Sequence, residues 1–273
     1  MRNLLRTFLL FALLIGIISS AIWLVIRLQY VPSGKYVGFR CNGESTPEYW
    51  ISVANRYAAL IPESSPGGIW IIASSKVLSF DAATDAALTA LDNSRVKVYL
   101  QPGEEVPGVW NQYPAPCDQL IQATLNNYGH HPCVIGVGLD IELRGSAWDD
   151  PIPVTDAEAQ AWLNIVKSYN SDFEMFLKEF REWVMPPTYR ADIIFVCMKQ
   201  EVNSLDELIS SFQTWANTFS PAKSAFQIGY PSDKGWWSQL ANPPKDIAQA
   251  LFQNIPNAKW VYWVNFNVHD VFP

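Results

Sequence analysis

The feature that most constrains this chain is a strand pattern that recurs eight times, with helical patterns between most of the strands. KYVGFRC (35–41), GGIWIIASS (67–75), VKVYLQP (96–102), the apolar run 134–142, FEMFLKEF (173–180), ADIIFVCMKQ (191–200), SAFQIGYP (224–231) and WVYWVNFN (260–267) each read as a strand. Helical spacing fills 48–61, 82–92 and 117–129, and Gly129 can close the last of these. Thr155–Glu158, Ser204–Glu207 and Pro244 mark further helix starts. Pro186-Pro187 forbids a long helix after the fifth strand. Such alternation predicts an α/β fold, a (β/α)8 TIM barrel over residues 35–273. A doubly wound sheet would bring a glycine-rich phosphate turn after its first strand, and FRCNGES is not one.

The barrel is preceded by a segment of another kind. Between Arg6 and Arg27 lie about 20 uncharged, mostly apolar residues, enough to cross a bilayer. The expected layout is a short cytoplasmic tail (1–6), one transmembrane anchor (7–28), a linker (29–34) and the barrel outside the cytoplasm. Cleavage near Ser19-Ser20-Ala21 is the alternative.

A net charge of −7 offers no basic stripe for phosphates, so nucleic acid is not expected as a partner. Twelve tryptophans in 273 residues suit a core, and they also suit sugar rings, whose apolar faces stack on indoles. Cys41, Cys117, Cys133 and Cys197 lack metal-type spacing. Cys41 and Cys117 would share one rim and form the best disulfide pair, while four free buried thiols are the other reading. His130-His131 falls on the rim away from the expected site, so neither metal nor cofactor is expected.

In a barrel of this type the active site forms at the C-terminal ends of the strands. The fourth strand is unusual there. Alternation puts Val137, Leu139 and Ile141 on one face, and Gly136, Gly138, Asp140 and Glu142 on the other. The two glycines would leave space in front of the two acids, and a valine at Gly138 would block it. Side chains at i and i+2 start roughly 6.5–7 Å apart and point the same way. Mutual repulsion and desolvation then raise one carboxyl's pKa, making it a proton donor, while its partner stays ionised. Glycoside hydrolysis needs that division of labour. One of Asp140 and Glu142 is accordingly the expected general acid and the other its electrostatic partner. Arg40, Gln101, Lys178, Tyr230, Trp263 and Asn265 are the expected substrate contacts.

The run Gly136-Val-Gly138-Leu-Asp140-Ile-Glu142 resembles the fourth-strand motif of family 18 chitinases, D-G-x-D-x-D-x-E. The resemblance implies that Glu142 is the acid and that Asp140 orients an acetamido group. Ile135 and Gly138 stand where that family has its first two acids, and no Y-D pair follows the sixth strand. The D-x-E strand, Gly229-Tyr230-Pro231 and the strand of Trp263 also resemble family 25 lysozyme-type barrels, whose first strand carries an Asp that KYVGFRC lacks. Together these features imply a membrane-anchored glycosidase-like barrel acting on a polysaccharide or glycan. The missing acids leave a non-catalytic carbohydrate-binding barrel as the rival. A barrel enzyme using Lys178 as a Schiff-base lysine is a third reading.

Overall fold

The computed structural model describes residues 34–104, 112–145, 147 and 149–273. The expected tail, anchor and most of the linker lie outside those residues, and no described helix is long and apolar enough to cross a membrane.

Eight parallel strands close into a barrel in sequence order: β1 (Lys35–Cys41), β2 (Ser64–Ala73), β3 (Lys97–Gly103), β4 (Val134–Asp140), β5 (Glu174–Glu179), β6 (Ile193–Cys197), β7 (Lys223–Ile228) and β8 (Ala258–Val264). Pairing of β8 with β1, from Tyr36 against Trp260 to Arg40 against Val264, completes the ring. Around it run α1 (Pro47–Leu60), α2 (Ser74–Leu78), α3 (Ala82–Asp92), α4 (Cys117–Tyr128), α5 (Asp156–Tyr169), α6 (Leu205–Thr218), α7 (Lys234–Trp237) and α8 (Pro243–Asn254), with a final turn α9 (Val268–Val271).

Local chemistry explains the helix starts. The Asp81 carboxylate accepts from the Thr84 N–H at 2.9 Å, capping α3. Thr155 and Glu158 form a reciprocal capping box at α5. At α6 only half of the expected box forms: Ser204 accepts from the Glu207 N–H, but Glu207 reaches back to Asn203. Asn242 caps α8, where Pro243 and Pro244 occupy positions whose N–H groups would go unused. Only a short 3-10 turn, Glu182–Val184, fills the proline-containing connection after β5.

Outward-facing strand residues such as Val137 and Leu139 pack under the helices. Inward-facing residues form a second core, in which Tyr99, Phe176, Trp260 and Tyr262 are the bulkiest. This interior corrects the reading of the glycines. A Cβ on Gly138 would lie 2.1 Å from the Phe176 ring, and one on Gly136 would lie 1.9 Å from the Glu174 carbonyl oxygen. The glycines therefore admit a neighbouring aromatic ring and a neighbouring strand, not a ligand. At the N-terminal end of the barrel, Glu174 ion-pairs with Lys259 and with Lys223 at 3.0 Å, and accepts from the Tyr99 hydroxyl at 2.6 Å. Burial pushes this carboxyl up, but Lys259, Tyr99 and Lys223 outweigh it and hold its pKa at about 2.

All four cysteines are free, buried thiols, so the expected Cys41–Cys117 disulfide does not form. Burial pushes each thiol up, which makes it a poor nucleophile and leaves it a packing residue.

Gly138→Val should destabilise the barrel by about 1–3 kcal/mol through overpacking against Phe176. Adding Phe176→Ala should recover part of that loss in urea unfolding. No recovery would show that the two positions do not share a volume.

Candidate functional site

The β4–β5 register pairs Asp140 with Lys178, and inward-pointing side chains at the last rung meet as an ion pair. Both residues are almost fully buried. Lys178 Nζ also lies 3.0 Å from Met198 Sδ, at the end of β6. Asp140 is held from behind as well. Its N–H donates to the Tyr113 hydroxyl at 2.9 Å, and that hydroxyl donates to the Pro102 carbonyl of β3 at 3.1 Å.

Glu142 is not on the strand. β4 ends at Asp140, and Ile141–Arg144 forms a 3-10 turn that carries Glu142. Strand alternation therefore does not place the two acids side by side, yet they interact. Burial and then the charge of Asp140 raise the Glu142 pKa from 4.5 to about 7, against the pull of Lys178. The side chain keeps 20% of its exposure, and Arg181 Nη2 stands 3.9 Å from Oε1. Fully buried Glu179 fixes that arginine through contacts of 3.1 Å to Nε and 2.9 Å to Nη2. Glu179 also accepts from the Phe180 N–H at 2.8 Å.

On the opposite side of the rim, Arg40 Nη1 donates to Asn265 Oδ1 at 3.0 Å, and Asn265 Nδ2 donates to Glu44 at 2.8 Å. The Tyr230 hydroxyl donates to Gln227 Oε1 at 3.1 Å. Burial pushes the Tyr230 phenol up; Arg40 opposes that shift, and Glu142 and Asp140 add to it. Tyr230 thus shares one electrostatic neighbourhood with the acids and Arg40. Arg40, Gln101 and Asp140 line a cavity of about 620 Å³, together with Ile71, Glu104 and Leu143. Four buried polar atoms of this rim, Arg40 Nε, Gln101 Oε1, Asp140 Oδ1 and Gln227 Nε2, have no hydrogen-bond partner among the described residues. Such a concentration is costly in a closed core and fits a surface that meets water or a polar ligand.

Of the expected contacts, Arg40 and Gln101 line this cavity, Lys178, Tyr230 and Asn265 bond to residues of the same rim, and Trp263 does neither. It is fully buried on the outer side of β8, edge-on to the Trp237 ring at 5.2 Å. Neighbouring Tyr262 takes the inward position, so alternation turns Trp263 away from the cavity. Sequence reasoning missed Tyr113 and Arg181 as supports of the site. Tyr113 lies in the connection after β3 and follows no periodic pattern. The Glu179-x-Arg181 spacing was the available signal for the second.

No protein-family model matches the chain, and neither does any curated protein sequence. Among solved structures it is similar to the catalytic domain of a mannanase from Streptomyces sp. SirexAA-E. That match has 10% identity and a TM-score of 0.48, covering 85% of this chain and 74% of the other. A β-glucuronidase from an uncultured Clostridium sp. matches at 9% identity and a TM-score of 0.49, over 85% of this chain and 44% of the other. An HpcH/HpaI aldolase from Desulfitobacterium hafniense DCB-2 matches at 10% and 0.43, over 87% and 90%. These likenesses do not choose a chemistry.

The sign of the Glu142 shift sets a pH dependence. The folded state holds this proton more tightly than the unfolded chain, so the contribution to stability is fully present below about 4.5 and lost as pH rises through about 7. Glu142→Gln should remove a slope of up to about 1.4 kcal/mol per pH unit inside that window. Urea unfolding of both proteins from pH 4 to 8 checks this. Parallel curves would place Glu142 in an ordinary solvated environment.

Proposed function

We propose that this barrel is a glycoside hydrolase-like enzyme acting on a polysaccharide or glycan, with Glu142 as general acid and Asp140 as its electrostatic partner. The observation that supports it is the Glu142 carboxyl, desolvated beside Asp140 and titrating at about 7 at the C-terminal mouth of the barrel. A carboxylic acid with that pKa is protonated often enough at neutrality to donate, and is a good enough base to recover the proton afterwards. It would protonate the glycosidic oxygen as the bond to the leaving sugar breaks, and a water molecule would then give its hydroxyl to the anomeric carbon and its proton back to Glu142. Asp140, oriented by Lys178 and Tyr113, would face the positive charge that develops on the ring.

Arg40, Gln101, Tyr230 and Asn265 would supply hydrogen bonds to sugar hydroxyls or an acetamido group. Exposed Trp183 (64%), after β5, and Phe266 (49%), after β8, offer apolar faces for sugar rings in place of Trp263. Lys178 fits a supporting role better than a Schiff-base role, because Asp140 and Met198 already engage its Nζ. Residues 7–28 would anchor the chain, holding the barrel outside the cytoplasm with no nucleic acid as partner.

Screening the full chain against a panel of labelled glycans identifies the substrate, and Glu142→Gln then decides the role. The variant should lose about 10²–10⁴ in kcat with little change in KM. Full activity across the pH range would remove Glu142 from the chemistry, and binding without turnover by the unaltered protein would establish the carbohydrate-binding alternative. Asp140→Asn should shift the alkaline limb of the rate profile to lower pH, since it removes the charge that holds the Glu142 proton.

For the anchor, protease added outside intact cells should degrade the chain beyond residue 35 and leave a membrane-bound fragment. A soluble mature protein beginning near Ala21 would refute it.

A further inference from the structure

The end of the barrel opposite the acids carries a second cluster. Asp85 and Asp92 lie seven residues apart in α3, two turns along one helix face, and His130-His131 forms the turn leading from α4 into β4. His131 is buried, with 3% of its side chain exposed, and both of its ring nitrogens meet carboxylates. Nδ1 lies 2.7 Å from Asp92 Oδ2, and Nε2 lies 3.2 Å from Asp85 Oδ1. Asp92 is itself held, since its other oxygen accepts from the Cys133 N–H at 2.9 Å.

These contacts fix more than a hydrogen bond. In the tautomer whose Nδ1–H donates to Asp92, Nε2 turns its lone pair toward Asp85, and a metal ion fits between two such ligand atoms. His130 Nε2 approaches the same Asp85 oxygen at 3.7 Å, too far for a hydrogen bond. That separation is close to the roughly 3.3–3.6 Å expected between two ligands sharing a tetrahedral zinc ion with bonds of about 2.0–2.2 Å. All three atoms lie within 4.8 Å of one another.

We propose that Asp85, His130 and His131 form a binding site for a divalent transition metal, zinc by ligand chemistry and geometry. Asp92 would be the outer carboxylate that fixes the His131 tautomer, and a water molecule would fill the fourth position. The ion would clamp α3 to the turn before β4, at the end of the barrel where fixed features serve stability. His130, with 62% of its side chain exposed, gives the ion a route in. The sequence placed His130-His131 on the rim away from the expected site and so led to no expectation of a metal; the approach of Asp85, 45 residues earlier, is what changes that.

The test uses the full chain in detergent, without a histidine tag and stripped of metal. It should bind one equivalent of Zn²⁺ by calorimetry, and one equivalent of Co²⁺ should give the intense visible bands of tetrahedral coordination. Zinc at a hundredfold excess over its Kd should raise the Tm by about 5–10 °C. His130→Ala, at an exposed position, should leave the metal-free Tm unchanged and weaken binding at least about tenfold. Asp92→Asn should weaken it by about 10–100-fold. Binding that survives unchanged in His130→Ala would place the ion elsewhere. No binding by the unaltered chain would overturn the site.

Discussion

The interior of a closed eight-stranded barrel has a fixed volume, and filling it governs the rest of this structure. Tyr99, Phe176, Trp260 and Tyr262 are too large to share that space with side chains on every facing strand. Glycine resolves the conflict at Gly67, whose Cβ would lie 2.2 Å from the Trp260 ring, and at Gly138 against Phe176. The ring-filled layers separate the polar side chains at the two ends of the barrel. At the N-terminal end the partly buried Glu174 carboxylate is held by Lys259, Lys223 and the Tyr99 hydroxyl.

Above that floor, charge takes over from volume. The ion pair between Asp140 and Lys178 exists because their strands are in register at the last rung. A buried pair of this kind is weak evidence for stability, since desolvation offsets much of its attraction. Its effect is on Glu142, which stands in the next turn and feels an uncompensated part of the Asp140 charge in a dry environment. Glu179 and Arg181 lock the far side of that turn. The result is one carboxyl with a raised pKa beside a second that is held in an ion pair.

Much of this was legible in the chain. Strand-helix alternation was enough for the barrel, because a parallel strand order with covered faces follows from period and length. Asp140, Gln101 and Arg40 were legible as cavity-lining residues because C-terminal strand ends converge in any such barrel. The placement of Glu142 by alternation was wrong: the chain leaves the strand at Asp140, and a 3-10 turn brings the second acid near the first. Trp263 was misplaced because its face depends on which of Tyr262 and Trp263 enters the barrel, a parity that the alternation of an all-apolar strand does not reveal.

The sequence by itself determined the fold class and the rim on which Arg40, Gln101 and Asp140 meet, because both follow from local periodicity and chain order. Only the tertiary structure decided what the glycines make room for, since a missing side chain acquires meaning from the neighbour that fills its place. It also decided the partner of Asp140, the free state of the cysteines and the meeting of Asp85 with His130 and His131 across 45 residues of chain. Those are distances between segments that no pattern along the chain encodes.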